Sequence, residues 1–168
     1  MQTLNQGLYD AVSFLAGSET VIFEEQNAPR PSSPYWTIKV QTIRSVGMES
    51  ILPNLTSEGK TQITGLREAV IRLQRVGINS HIIAAEFVDN LSKNSTNEKW
   101  KEYGVFVYDT GDIQNVPYAL DNNQWEQRAV LDVFIRFGVL VLDDIEYIST
   151  VAINASYGDT EEELEILI

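Results

Sequence analysis

The chain predicts an α+β fold, a single domain with a mostly antiparallel sheet of about six strands and two helices on one face. Two periodicities carry this expectation. Apolar residues recur at helical spacing near the start and again after residue 79, whereas 35–46, 63–76 and 125–137 alternate with the period of a strand. Size is the third observation. A chain of 168 residues with a 43% apolar fraction buries roughly 70% of its unfolded surface without a disulfide or metal to staple it. The domain is expected over residues 1–157, followed by an acidic and apolar C-terminal arm over 158–168.

Residues 2–16 read as an amphipathic helix, with Leu4, Leu8, Ala11, Val12 and Leu15 on one face and Gly17 as the stop. A short strand follows over 20–24. Pro29, Pro31 and Pro34 then hold an extended segment that runs into a strand from Tyr35 to about Val46, with Trp36, Ile38 and Val40 sharing a face. Residues 47–62 form a long polar connection, read as a projecting loop or an extended hairpin tip. The next strand, 63–76, places Ala69, Ile71 and Leu73 opposite Glu68, Arg72 and Gln74, and should pair antiparallel with its predecessor.

Gly77 ends that strand, and Asn79 or Ser80 caps a second helix presenting Ile82, Ile83, Phe87 and Leu91. Residues 92–101 read as a polar, mobile segment. A short buried strand is expected over 103–108, then a loop, then the long strand 125–137. There Ala129, Leu131, Val133, Ile135 and Phe137 line one face, and Arg128, Val130, Asp132, Phe134 and Arg136 the other. A last strand is placed at 147–154.

Composition excludes several classes. There are no cysteines, so neither a disulfide scaffold nor a thiolate metal site is possible. No run approaches the roughly 20 apolar residues of a membrane span, and no basic start precedes an apolar stretch. The balance of 12 basic to 24 acidic residues, a net charge of −12, argues against a phosphate-binding surface, because such surfaces need clustered Lys and Arg.

The sharpest chemical motif is Asp109-Thr110-Gly111 at the end of an apolar strand. A dimeric aspartic protease of the retroviral type would show such a motif, one carboxylate per subunit sharing a proton. Asp and Gly also suit an ordinary strand-end turn. His81, the only histidine, reads as a surface or capping residue, and Asp143-Asp144 and Glu24-Glu25 as solvated carboxylates. No phosphate loop or dinucleotide turn is present. The expectation is therefore a non-enzyme, with no catalytic, cofactor-binding or metal site and no cofactor.

Interaction surfaces are the alternative to chemistry. Of the tryptophans, Trp36 and Trp125 fall on strands, where core placement outweighs a role as interface anchor. Val130 and Phe134 are apolar on the sheet face away from the helices, which suggests a covering subunit. Leu164, Ile166, Leu167 and Ile168 punctuate an acidic tail. Each contributes roughly 1.5–3 kcal/mol if buried, which favours an arm that orders against a neighbour. The interface residues so chosen are Trp36, Val130, Phe134, Leu164, Ile166 and Ile168.

The order of two blocks, Asn27-Ala-Pro-Arg-Pro…Pro34-Tyr35 and Trp125-Glu126-Gln127-Arg128-Ala129, with Asp143-Asp144…Tyr147-Ile148…Val151 closing the pattern, resembles the phage neck terminator, or tail-completion, family over about residues 3–154. The resemblance implies a structural virion protein at the head–tail junction of a tailed bacteriophage, assembled in the host cytoplasm. It implies a ring, usually a hexamer, that caps the tail tube and joins it to the head–tail connector. Its partners would be its own copies, the tail tube protein and the connector or adaptor. DNA would pass an acidic lumen without specific binding, and no membrane would be involved. The rivals are the aspartic protease above and another head–tail adaptor protein.

Overall fold

A computed structural model describes residues 3–52, 56, 58–120, 124–144, 150–157 and 160–167, the last two stretches by their backbone alone. The chain divides into two compact units, 1–50 with 64–139 and 51–63 with 140–168. The architecture is α+β, with a mixed sheet and three helices among the described residues.

In the first unit, α1 (Leu4–Ala16) begins where the Thr3 hydroxyl accepts the Gln6 amide at 3.3 Å, and ends at Gly17, whose φ of +64° only glycine adopts freely. Leu8, Ala11 and Val12 are buried along one stripe, as their spacing predicts. Gly7 lies on the same stripe because the Tyr103 carbonyl oxygen would sit 2.4 Å from any added Cβ. Helix α2 (Ser80–Leu91) follows Asn79, itself left-handed at φ +58°, and buries Ala84, Phe87 and Leu91.

Helix α3 (Asn94–Glu102) replaces the polar mobile segment expected there. Its anchor is sparse: Thr96 and Trp100, one turn apart, are buried, and Lys99–Glu102 and Lys101–Glu98 ion pairs line the outside. Phe87 joins the helices to the sheet, with its ring centroid 4.8 Å from that of Trp36 and 6.4 Å from that of Trp100.

The main sheet is six-stranded. Strands β1 (Thr20–Phe23), β2 (Tyr35–Leu52), β3 (Thr61–Val76), β8 (Arg128–Asp143) and β4 (Phe106–Thr110) lie side by side in that order, and β5 (Gln114–Asn115) also pairs with β8. Strands β4 and β5 run antiparallel to β8. The β1–β2 pair is parallel, Thr20 opposite Tyr35 and Phe23 opposite Ile38, which makes the sheet mixed. A parallel neighbour requires the chain to return to the same end, and the extended proline segment makes that return.

The inner face buries Trp36 and Ile38 of β2, Ala69, Ile71 and Leu73 of β3, and Ala129, Leu131, Val133 and Ile135 of β8 beneath the helices, the alternation read from the sequence. Strands β2 and β3 are longer than expected and consume most of the 47–62 connection. Within the second unit, Thr56 and Lys60 close a turn through the Thr56 N–H and Lys60 carbonyl at 2.8 Å, and Lys60 pairs with Asp144 at 3.4 Å. That is the extended hairpin tip rather than the projecting loop.

Two small ribbons complete the chain. In the first unit, β6 (Tyr118–Leu120) pairs antiparallel with β7 (Gln124–Glu126). In the second, β9 (Thr150–Tyr157) pairs antiparallel with β10 (Thr160–Leu167), so residues 160–167 of the expected arm form a strand. The closing strand expected over 147–154 is observed as β9 from Thr150, and residues 147–149 of that expectation lie outside the described residues.

Candidate interaction surfaces

The sequence blocks that carry the family resemblance meet in space. Arg30, between two prolines, donates through Nε to the Tyr35 hydroxyl at 2.8 Å and forms an ion pair with Glu126. Glu126 also accepts from Arg128 Nε at 2.8 Å, and the Arg128 guanidinium lies 4.4 Å from the centroid of the Tyr118 ring. Gln127 interrupts the strand expected over 125–137, because its backbone and side chain are both engaged elsewhere. Its carbonyl accepts the Gly77 amide at 3.0 Å and its Oε1 the Asn79 amide at 2.7 Å. Gly77, at φ +133°, packs so closely on Ser33 and Pro34 that an added Cβ would lie 2.8 Å from Ser33 Oγ.

This braced corner displays apolar groups to solvent. Trp125 is 69% exposed and Ile78 77%, with Tyr118 and Val116 exposed beside them in the chain. Trp125 was expected in the core. The strand break explains the difference, since β7 belongs to the small ribbon and not to the main sheet. A large aromatic left in water on a braced stretch of backbone is an interface signature, because a partner that covers it removes a large apolar area from water.

The outer face of the main sheet is a charged lattice. Glu68, only 5% exposed, lies between two arginines, with Arg136 Nε and Nη2 at 2.8 and 2.7 Å from one carboxylate oxygen and Arg44 Nε at 2.9 Å from the other. Hydrogen bonds from Arg44 and then Arg136 hold its carboxyl below the ordinary range. Arg72 grips Asp132 through two bonds at 2.9 and 3.1 Å. Arg75 is buried against Glu19 on the helix side, and Arg67 pairs with Glu49. Every arginine of the chain is thus paired with a carboxylate of the same chain.

The residues singled out from sequence are scattered. Trp36 is buried at 1% exposure and serves the core. Val130 and Phe134 are half-buried on the outer face, where Phe134 packs on Tyr108 with centroids 6.2 Å apart. Leu164 and Ile166 lie in β10, and Ile168 falls outside the described residues. The exposed Ile78 and Trp125, and Tyr118 on the opposite face of the β6–β7 ribbon from Trp125, were missed. The sequence signal was Trp125 beside the turn residues Asp121-Asn-Asn.

Asp109-Thr110-Gly111 forms a strand-end turn. Asp109 is opposite Phe134 within the sheet, its carboxylate accepts the Thr110 amide at 2.8 Å, and the Gly111 amide donates to the Asp132 carbonyl at 2.7 Å. His81 is exposed in the first turn of α2. Among the described residues no group of three or more His, Cys, Asp or Glu side chains converges as a metal site. No helix among them is long and apolar enough to cross a membrane.

Fold and surface together describe a sheet whose arginines are paired within the chain and a corner whose large apolar residues, Ile78 and Trp125, stand exposed. The comparison with known families agrees: the model for the phage neck terminator protein matches residues 2–160, and the chain belongs to that family. It is a structural family of the phage neck, which makes the chain a virion component. A search of curated proteins gave no match.

Proposed function

We propose that this chain is the ring-forming neck terminator subunit of a tailed phage, which caps the tail tube and joins it to the head–tail connector. The observation that carries the reading is the braced corner. Three separate stretches of sequence are spent on holding Ile78 and Trp125 outward, a placement that serves contact with another molecule. Hexameric closure is what the resemblance to the family implies, and heterologous contacts close when the rotation closes. Copies of the chain, the tail tube protein and the connector are the partners. DNA passes through the lumen without specific binding, consistent with a net charge of −12 per copy.

Imaging of purified phage particles with tagged protein tests this. A ring of the chain between tail tube and connector is the expected result. In solution, light scattering giving a hexamer mass supports the same reading. A compact dimer whose proteolytic activity is lost in Asp109→Asn would instead establish the aspartic protease.

A further inference from the structure

We infer that the C-terminal ribbon of one copy adds, through β10, to the exposed edge of β4 in the next copy, making the sheet continuous from subunit to subunit. This rests on the ring reading above and names the contact that closes it.

The receiving edge is visible in the sheet order. Strand β4 ends the path, and among the described residues it pairs with β8 alone. Its Phe106 and Tyr108 are 43% and 40% exposed, and the strand carries neither proline nor lysine, its only interruptions being Asp109 and an irregularity in register between Val107 and Asp109. A cation stands over each aromatic of this edge, the Arg136 guanidinium 4.7 Å from the Tyr108 centroid and the Lys101 ammonium 5.9 Å from the Phe106 centroid, and Asp109, opposite Phe134, is the one carboxylate of the strand. Beside them an open groove of about 420 Å³ is lined by Leu66, Val105, Phe106, Arg136 and Phe137, with Lys101 at its rim.

The donor complements this edge. In the register of the β9–β10 pair, Leu164 is opposite Ile153 and Ile166 opposite Val151, so these four residues share one face. Glu161, Glu163 and Glu165 fall on the other, opposite Ser156, Asn154 and Ala152. An isolated two-stranded ribbon is marginal at best in water, and this one pairs with no further strand of its own chain among the described residues. Strand β10 carries the acids and β9 carries none. Three of the four glutamates of β10 share one face, and Leu164 and Ile166 lie with Glu162 on the other, so β10 is the strand of the ribbon suited to an edge with cations over its aromatics and an apolar groove beside it. Edge and ribbon reside in one sequence, and each copy both gives and receives, the head-to-tail contact that generates rings.

The chain contains no cysteine, so engineered pairs report unambiguously. Full-length Asp109→Cys is combined in turn with Glu161→Cys, Glu163→Cys or Glu165→Cys to sample the register, and phage particles carrying each pair are purified and oxidised. A ladder of covalent multimers, lost on reduction, is the expected result for at least one pair. A link confined within single chains overturns the inference, as does no link in any pair when imaging shows the ring in place; the ring reading survives both. Particles whose neck lacks the chain would overturn the ring reading as well. Hydrogen exchange on the unaltered protein guards against a misfolded variant. Amides 106–110 and 160–167 should slow together on assembly, and unchanged exchange at 106–110 in assembled rings refutes the contact.

Discussion

Glu68 shows how one residue sets the character of a surface. Its folded carboxyl titrates below the ordinary value of 4.5 because Arg44 and Arg136 hydrogen-bond its ionised form. A lowered folded pKa stabilises the protein above the unfolded value, and that contribution is lost as pH falls through the folded one. Glu68→Gln should therefore lower Tm at pH 7, and the difference from the unaltered protein should begin to narrow below pH 4.5 and close only when the pH has fallen through the lower folded value, followed by thermal melts across pH. Gly77 makes a second case. Alanine there must adopt φ +133° against Ser33 and Pro34, which costs about 1–3 kcal/mol, measurable as a lower urea midpoint. The pattern Pro-Arg-Pro…Tyr was legible as a block, but its link to Glu126 was not, because nothing in a sequence pairs residues ninety-six apart.

At the scale of elements, regular periodicity was legible and sparse anchoring was not. Helix α1 and the inner faces of β2, β3 and β8 follow from spacing alone. Helix α3 was read as irregular because only Thr96 and Trp100 of its nine residues are buried, too few for an apolar stripe. One residue thus carries most of the helix's attachment. Trp100→Ala should cost about 3–5 kcal/mol, and circular dichroism with denaturant melts should show the helix lost along with stability. The break at Gln127 was invisible for a different reason. Trp125 continues the alternation of the strand, and only the hydrogen bonds from Gly77 and Asn79 turn the chain away. The parallel entry of β1 escaped notice likewise, since period two says nothing of direction.

For the molecule as a whole, the prediction concerns assembly without loss of fold. Trp125 is 69% exposed and supports no core, so Trp125→Ala should leave Tm unchanged. It should weaken association by about 2 kcal/mol or more, as truncation of an aromatic hot spot does, read as a shift of the light-scattering mass to lower values at fixed concentration. The same separation of fold from contact governs the arginines. Each guanidinium fork is already filled by a carboxylate of its own chain. A duplex sliding past would find few vacant forks to seize its phosphates and few counterions to displace, so transit would meet little friction at low or high ionic strength. Lubrication, on this view, comes from pairing the positive charges as much as from outnumbering them.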